Sequence, residues 1–237
     1  MQLTLRQAAR CLDVPEDALE KWAERGELPS SRVNDQYRFN RVDLLEWAAQ
    51  RHLTVSPEIL AEPGAHGADH LPLLSECIRA GGVHLAVPGT DKESLLRNVV
   101  RLLPVPDADP DFLLEMLLAR EKLGSTALGS GIAIPHPREP LVMHVHEPLV
   151  TVCLLAQPID FGSTDGMPVH TLLVIVAPSV RMHLHLLSLL SAVLHDAAVR
   201  SKLESRASAE EILREIERVE AAQARAREEG LARSDRA

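Results

Sequence analysis

Residues 124–137 read GSTALGSGIAIPHP, and the character of this stretch decides the expected fold. Its first half is rich in glycine and hydroxyl residues, whereas residues 132–134 form a short apolar run that predicts a buried strand. Pro135 ends this strand because proline has no backbone N–H to donate to a ladder. His136 therefore lies at the end of the strand, beside a loop with free backbone N–H groups, where it can act on an anionic group.

The residues around this histidine carry a specific resemblance. The run AREKL at 119–123, followed by GIAIPH at 131–136, resembles the active-site signature of enzyme IIA domains of the bacterial phosphotransferase system. The similarity is to the fructose, mannitol and nitrogen-related type (type 2) and covers about residues 72–220. The resemblance implies that His136 accepts a phosphoryl group from an HPr-type carrier protein, which makes the chain a histidine phosphotransferase component.

The same resemblance implies further site residues. Arg120, at the end of the helix before the loop, would neutralise the phosphoryl charge, and His183 matches the second histidine of the family, with His185 as the alternative. The second histidine would bind the phosphoryl oxygens or orient His136. The loop groups expected to cradle these oxygens are Ser125, Thr126, Ser130 and Gly131. We expect His136 to lie in a shallow pocket with Arg120 and His183 nearby.

Histidine suits phosphoryl transfer because a neutral imidazole nitrogen can attack phosphorus and the ring titrates near neutral pH. The protein then contributes mainly positioning and charge neutralisation. Two positions depart from the family: Pro137 replaces a glycine and removes one backbone donor, and Ser130 stands where asparagine is common. These departures leave the identity of the phosphoryl donor open. The alternative interpretation is a relic histidine in a domain retained as a sensor or protein-interaction module.

Three histidine pairs have spacings that zinc sites use. They are His144 and His146, His183 and His185, and His66 and His70. No cysteine or carboxylate accompanies the first two pairs in a compact pattern, and the third pair lies in a glycine-rich segment. We therefore expect neither a metal nor a cofactor.

Residues 1–52 form a separate unit. Thr4 is a plausible N-cap for a first helix, a second helix is expected at about 16–25 and ends at Gly26, a hairpin or wing follows, and a third helix covers about 41–50. The sequence LTLRQAARCLDVPEDALEKWAERGELPSSRVNDQYRFNRVDLLEW resembles the excisionase/MerR-like family of winged helix-turn-helix domains. The resemblance implies DNA contacts on the second helix and around the wing, with Lys21, Arg25, Arg32, Arg38 and Arg41 as the candidate cations and Glu20 and Glu24 beside them.

The charge of this unit supports a second interpretation. It contains eight Lys/Arg and nine Asp/Glu residues, a net charge of −1, whereas DNA-binding domains usually present a basic face. Its second helix is acidic. Such a helix suits a protein that binds DNA in several copies, or a unit that binds protein instead. Both readings stay open.

The chain beyond the unit alternates helices and strands. Residues 53–71 read as a linker, residues 72–222 as the IIA-like domain, and residues 223–237 as a charged tail. Helices are expected at about 73–81, 91–103, 111–123, 182–195, 200–203 and 209–227, and further strands at 83–87, 149–154 and 169–177. This order predicts an α/β sandwich with a mixed sheet flanked by helices, its strands buried on both faces.

The bulk properties point to a soluble cytoplasmic protein, and the two resemblances together imply a regulator. The 237 residues carry a net charge of −9, which argues against wholesale electrostatic binding to nucleic acid or membrane. Three widely spaced cysteines and the absence of a signal-peptide pattern favour a reducing compartment. The expected partners are an HPr-type carrier, a IIB component or regulatory target, DNA through residues 1–52 and a second copy of the chain. No membrane partner is expected. Phosphorylation of His136 would alter how the domains associate, with each other or with partners.

Overall fold

The computed structural model describes residues 2–33, 36–51, 53, 71–106, 108–137, 145 and 147–234. The histidine pairs at 66/70 and 144/146 lie outside these residues, as do most of the predicted linker and the turn at 34–35. The described chain folds around one three-stranded and one five-stranded sheet. We refer to residues 2–53 as the N-terminal domain and to residues 71–234 as the C-terminal domain.

The N-terminal domain packs helices onto an antiparallel sheet with the strand order β1-β3-β2. In chain order its described elements are β1 (Gln2–Thr4), α1 (Leu5–Leu12), α2 (Glu16–Glu24), β2 (Ser31–Val33), β3 (Gln36–Asn40) and α3 (Arg41–Gln50). The predicted helix-turn-helix, wing hairpin and closing helix are confirmed. Strand β1 is an addition to the prediction, because the extended backbone before the first helix pairs with β3.

Local signals set the helix ends of this domain. The Thr4 Oγ accepts from the backbone N of Gln7 at 3.3 Å, and the Gln7 side chain accepts from the backbone N of Thr4 at 2.9 Å, which confirms Thr4 as a cap. Gly26 has φ +68°, a left-handed conformation in which glycine is favoured. Trp22 and Trp47 lie with ring centroids 5.2 Å apart and contribute to the small core of the domain.

The C-terminal domain carries a mixed five-stranded sheet in the order β4-β7-β8-β6-β5. Its described elements are α4 (Leu74–Gly81), β4 (Val83–Val87), α5 (Lys92–Val100), α6 (Pro110–Lys122), β5 (Ala127–Gly129), β6 (Ile132–Ala133), β7 (Leu149–Ile159), β8 (Val169–Val176), α7 (Val180–Leu194), α8 (Ala197–Glu204) and α9 (Ala209–Ser234). β4 and β7 are parallel, β7 and β8 antiparallel, β6 and β8 parallel, and β5 and β6 antiparallel.

Apolar side chains cover both faces of this sheet. On β7, Val150, Val152 and Leu154 contribute to the core on the side of α4, α7, α8 and α9. Cys153 and Leu155 contribute to the core on the side of α5 and α6. This alternation follows from the period of two in a strand, and it confirms the predicted sandwich.

Two helices near the C-terminus differ in extent from the prediction. α8 begins at Ala197, where Asp196 Oδ1 accepts from the backbone N of Ala198 at 2.9 Å. α9 begins after the predicted Ser208–Glu211 capping box and continues to Ser234. Much of the segment expected as a charged tail is therefore helical, because Ala, Glu and Arg have high helix propensity.

The described helices differ in their suitability for a membrane. No single one of them is both long and apolar enough to cross a bilayer. Only α7 and α8 taken together reach the required length and composition, and they are bent by 90° relative to each other.

The two domains meet where α3 packs against α7. Leu184 of α7 is 1% exposed and belongs to the same apolar cluster as Leu44, Leu45 and Trp47 of α3. Val180, at the start of α7, packs against that cluster. The core of the N-terminal domain therefore extends onto the C-terminal domain.

Candidate functional site

A short hairpin holds His136 in position. β5 and β6 are antiparallel, and the backbone N of Ile134 donates to Thr126 O at 3.0 Å just beyond the end of β6. The carbonyl of Pro135 accepts from the backbone N of Ile175 at 3.1 Å, so the chain stays attached to the β8 side of the sheet. His136 therefore directly follows two residues whose backbone groups are hydrogen-bonded, one to the residue before β5 and one to β8.

The hydrogen bond at Nδ1 assigns the tautomer of His136. Nδ1 lies 2.7 Å from Ile134 O, and a carbonyl oxygen can only accept, so Nδ1 carries the proton. In the neutral ring Nε2 then carries the lone pair and is the nucleophilic atom. Burial lowers the pKa of His136 to about 4, and the positive charge of Arg120 acts in the same direction. A lowered pKa favours the neutral, nucleophilic form.

His183 lies directly beside this imidazole. The two ring centroids are 4.7 Å apart, and His183 is 1% exposed. Its Nε2 has no hydrogen-bond partner among the described residues. Burial, followed by the proximity of His136 and Arg120, holds the pKa of His183 well below its usual value. The neutral ring has one N–H, and in the tautomer with the proton on Nε2 it can donate a hydrogen bond to a group bound at His136.

His185 points elsewhere. Its Nε2 lies 2.9 Å from Pro72 O, away from His183 and His136. Positions i and i+2 diverge on a helix, whereas the zinc pair considered from the sequence requires a strand. The structure therefore brings His183, and not His185, to His136.

Arg120 comes from the last turn of α6. Its Nη1 donates to Gly124 O at 2.9 Å, which fixes the guanidinium against the start of the loop. The neighbouring Glu121 accepts from the backbone N of Thr126 at 3.2 Å and from Lys92 at 2.9 Å. This second set of bonds ties the end of α6 to β5, so Arg120 and His136 share one rigid frame.

The partner that the sequence did not indicate is Glu46 of α3. Its Oε1 lies 2.6 Å from His136 Nε2, and its Oε2 accepts from Arg120 Nη2. His136 is 1% exposed, so the expectation of a shallow, accessible pocket is wrong for this arrangement of the domains. The cause is that the N-terminal domain places a carboxylate at the nucleophilic nitrogen. Nothing in the sequence distinguishes Glu46 from the other acidic residues of its domain.

The contact between Glu46 and His136 involves two acceptors. Nδ1 already donates to Ile134 O, so Nε2 of the neutral ring and the carboxylate oxygen both present lone pairs. Their 2.6 Å separation requires one proton between them. This requirement opposes the effect of burial on the pKa of His136. Before Nε2 can attack phosphorus, the carboxylate must withdraw and the proton must leave.

Only part of the predicted phosphate loop lies near His136. Thr126 is buried next to Ile134, whereas Ser130 and Gly131 form the turn at the opposite end of the β5–β6 hairpin. The backbone N of Ser130 donates to Asp165 Oδ2 at 2.7 Å, and Gly131 O accepts from the backbone N of His170 at 2.8 Å. The expectation for Ser130 and Gly131 is therefore corrected, because an antiparallel hairpin separates its turn from its open end.

Ser125 lies at the open end of the same hairpin. Its Oγ donates to Phe161 O at 2.7 Å. It lines a crevice of about 430 Å³ between the domains, together with Arg120, Glu46 and Trp47. Of the four loop residues predicted to cradle phosphoryl oxygens, only Ser125 and Thr126 lie on the His136 side of the hairpin.

A metal is the other ligand that this cluster could hold. One donor atom each from Glu46, His136 and His183 lie within 4.8 Å of one another, and two imidazoles with a carboxylate are a ligand set that suits Zn²⁺. However, the guanidinium of Arg120 already binds the same carboxylate. The 2.6 Å contact between His136 and Glu46 is also shorter than the roughly 3 Å that separates two ligands of one tetrahedral zinc ion. The arrangement fits a shared proton better than a cation.

The candidate DNA-binding residues are exposed to different degrees. The side chains of Lys21 and Arg25 are 63% and 67% exposed. Arg32 is exposed and stacks over Tyr37, with its guanidinium carbon 4.9 Å from the ring centroid. Arg41 is 9% exposed, which places it inside the fold. Contacts from the first three residues to DNA stay predictions that this surface permits, whereas Arg41 is not presented to a partner here.

Arg38 is the remaining candidate of the wing. It is half-buried, and its guanidinium donates to Gln36 Oε1 at 3.0 Å and to Tyr37 O at 3.4 Å. These bonds hold it along β3. Its contact with DNA also stays a prediction.

Comparison with known proteins assigns both parts of the chain. Residues 76–219 match the model of the phosphoenolpyruvate-dependent sugar phosphotransferase system EIIA 2 family, and residues 3–52 match a helix-turn-helix domain model. A nitrogen regulatory protein of Pseudomonas aeruginosa is 38% identical over 141 residues, which cover 58% of this chain and 90% of the relative. A fructose-specific EIIA component of Haloferax volcanii is 36% identical over 113 residues, covering 46% of this chain and 71% of the relative.

A solved structure supports the same assignment. The nitrogen regulatory protein IIA-Ntr of Neisseria meningitidis superimposes with a TM-score of 0.53 at 29% identity, covering 60% of this chain and 97% of the relative. The matched region contains the hairpin, α6 and α7, which supply His136, Arg120 and His183. The chain thus belongs to the EIIA 2 family of the phosphoenolpyruvate-dependent sugar phosphotransferase system, with a helix-turn-helix domain on the N-terminal side of its EIIA domain.

Proposed function

We propose that this chain is a phosphocarrier and regulator that accepts a phosphoryl group on His136 Nε2 from an HPr-type protein and couples this event to its helix-turn-helix domain. The observation that carries the proposal is the hydrogen bond of 2.7 Å between His136 Nδ1 and Ile134 O. It leaves Nε2 as the nucleophile of a neutral ring, with Arg120 and His183 beside it. The family assignment supports the same role.

The transfer itself needs few groups. The lone pair of Nε2 attacks phosphorus in line, a P–N bond forms, and the bond from phosphorus to the donor breaks with its electron pair left on the donor. The proton on Nδ1 stays in the hydrogen bond to Ile134 O. Arg120 balances the charge of the phosphoryl oxygens, and His183 donates to one of them through its unpartnered nitrogen. Reversal of these steps passes the group to an acceptor such as a IIB component or a regulatory target.

Labelling tests this function directly. The full chain is incubated with phosphorylated HPr, and an acid-labile, base-stable phosphate is expected on wild type but not on His136→Ala. His185→Asn is the matched control, because His185 lies on the same helix as His183 and contacts Pro72 instead of the site. Equal labelling of His136→Ala and wild type contradicts the assignment.

DNA binding is the second part of the proposal. The exposed side chains of Lys21 on α2, of Arg25 at its C-cap and of Arg32 at the wing can contact phosphates. The alternative is a protein partner. It is favoured by the ion pairs of Lys21 with Asp17 and of Arg25 with Glu27, both at 3.8 Å, which partly neutralise this helix. A salt-dependent gel shift on genomic fragments separates the two, since only DNA readout gives sequence-selective binding.

The cysteines fit a cytoplasmic location, which is part of the same proposal. Cys11, Cys77 and Cys153 are buried, and none of them forms a disulfide with another described residue. Burial raises the pKa of Cys77 and of Cys153 to about 12, so these thiols resist oxidation. Free thiols are typical of reducing compartments.

A further inference from the structure

The N-terminal domain reaches the phosphorylation site through one carboxylate. Glu46 contacts both groups that a phosphoryl group on His136 would need, namely the nucleophilic Nε2 at 2.6 Å and the guanidinium of Arg120. Its side chain is only 11% exposed. An anion already occupies the position that the chemistry assigns to the phosphoryl group.

The surroundings of this carboxylate form a packed interface. Leu184 of α7 is 1% exposed and packs within the apolar cluster of the N-terminal domain, and Val180 covers its edge. On the same helix, His183 faces His136. Apolar contacts and the buried ion pair therefore lie side by side, and loss of the ion pair weakens docking of the whole domain.

We propose that the face of the C-terminal domain around His136 is a docking surface for α3 of the same chain, and that docking and phosphorylation of His136 exclude each other. In the docked state Glu46 stands in for the phosphoryl group. The inference rests on the proposed phosphocarrier function and specifies how that site is regulated.

Space and charge both enforce the exclusion. The carboxylate of Glu46 lies with its Oε1 2.6 Å from His136 Nε2. A phosphoryl group bonded to Nε2 would occupy the same volume. It would bring a charge of about −2 beside a second, poorly solvated anion. Arg120 is the cation that both anions use, so binding of one releases the other. A donor protein also cannot reach an imidazole that is 1% exposed.

The docking surface lies away from the exposed candidates for DNA binding. Lys21 of α2 and Arg25 at its C-cap stay more than half exposed while Glu46 of α3 is buried against Arg120. Phosphorylation would therefore free α3 and change where the N-terminal domain is held, without unmasking α2. Docking of α3 and phosphorylation of His136 exclude each other whether α2 binds DNA or protein.

The test uses full-length wild type, Glu46→Ala and Glu46→Lys, with Glu20→Gln as the control. Glu20 is an acidic residue of the same domain, but it lies on α2 and is exposed. Labelling rates with phosphorylated HPr are measured, and hydrogen exchange of α3 and α7 is followed before and after labelling. Circular dichroism of each variant confirms that it is folded.

We call this mutual exclusion of docking and phosphorylation the lock. It predicts that both Glu46 variants are labelled at least about tenfold faster than wild type, since one partner of a buried charge pair is lost. Glu20→Gln labels as wild type does. Phosphorylation of wild type speeds exchange in α3 and in the α7 segment around Leu184, whereas Glu46→Lys exchanges fast there without phosphorylation.

Each contrary outcome has a distinct meaning. If all variants label at the wild-type rate, and phosphorylation leaves exchange in α3 and α7 unchanged, the lock is overturned and the phosphocarrier function stands. If neither wild type nor the Glu46 variants accept phosphate from HPr, the proposed function fails and the lock fails with it. Faster labelling without any change in exchange also overturns the lock, because docking is then not what limits access.

Discussion

The helices α2 and α3 of the N-terminal domain differ in the exposure of their charged side chains. Lys21 on α2 and Arg25 at its C-cap are exposed, and the ion pair of each spans 3.8 Å. On α3, Glu46 is buried against two groups of the other domain. Exposed pairs contribute little to stability, whereas breaking a buried pair leaves an uncompensated charge. One helix is therefore free for an external partner, while the other is committed to the interior of the chain.

Replacing Arg120 is the strongest test of the buried ion pair on the α3 side. Arg120→Ala is expected to reduce labelling of His136 by at least about 100-fold, because it removes the cation that stabilises the transferred group. Glu46→Ala, which removes the other half of the same ion pair, is expected to have the opposite effect. Rates of phosphate incorporation from phosphorylated HPr measure both. If the two variants shift the rate in the same direction, Arg120 and Glu46 do not compete as proposed.

Leu184 tests the apolar part of the α3 contact. Leu184→Ala is expected to lower the free energy of unfolding by about 2–3 kcal/mol and to speed labelling of His136, because a fully buried side chain is truncated at the domain contact. Leu190→Ala is the control, since Leu190 lies on α7 but faces the core of the C-terminal domain. Urea denaturation should show similar losses for both variants. If Leu190→Ala also speeds labelling, the effect of Leu184→Ala does not come from the contact between α3 and α7.

His183 provides a smaller effect that leaves docking intact. Its Nε2 has no partner among the described residues, so His183→Gln should reduce labelling about tenfold, the value of one hydrogen bond to a charged group. Thermal unfolding should change little. His185→Gln, two residues along the same helix, should label at the wild-type rate. A large loss of stability in His183→Gln would instead indicate a purely structural role.

The α2 side of the comparison predicts small changes in stability. Replacing Lys21 and Arg25 by alanine should alter the free energy of unfolding by less than about 0.5 kcal/mol, since both side chains are exposed. If α2 binds DNA, each substitution should reduce the slope of log affinity against log salt by about 1. Fluorescence anisotropy with a bound fragment measures this slope. An unchanged slope would favour a protein partner for α2.

The smallest expected effect comes from an exposed carboxylate far from the site. The hydrogen bond from Lys202, followed by those from Ser208, lowers the pKa of Glu211 from 4.5 to about 2. A depressed carboxyl pKa stabilises the fold above pH 4.5, and this contribution is lost as pH falls from 4.5 to about 2. Glu211→Gln should therefore show a slightly weaker decline of melting temperature over this range. If wild type and Glu211→Gln lose melting temperature equally between pH 4.5 and about 2, the bonds of Glu211 to Lys202 and Ser208 contribute no net stability.

The sequence predicts the frame of the site well. The apolar run before Pro135 sets the strand that ends at His136, and helical periodicity places Arg120 and His183 on α6 and α7. These signals are local, because they depend on neighbours within one element. They also suffice for the predicted sandwich of a mixed sheet flanked by helices, because buried strands alternate with amphipathic helices along the chain. The order of the strands in the sheet is not part of the prediction.

Contacts between distant elements lie beyond such signals. Glu46 is 90 residues from His136 in the chain, and no periodicity or spacing links the two. Ser130 and Gly131 are close to His136 in sequence, yet the hairpin carries them to its far end. In both cases the tertiary arrangement, rather than residue type, decides which groups share the site.

The placement of aromatic residues has a practical consequence. The chain has two tryptophans, Trp22 and Trp47, and both belong to the N-terminal domain. Trp47 also lines the crevice beside Arg120. The intrinsic emission of the unmodified protein is therefore a built-in optical reporter: a spectral shift on adding a phosphoryl donor would register movement of one domain alone, without any attached dye.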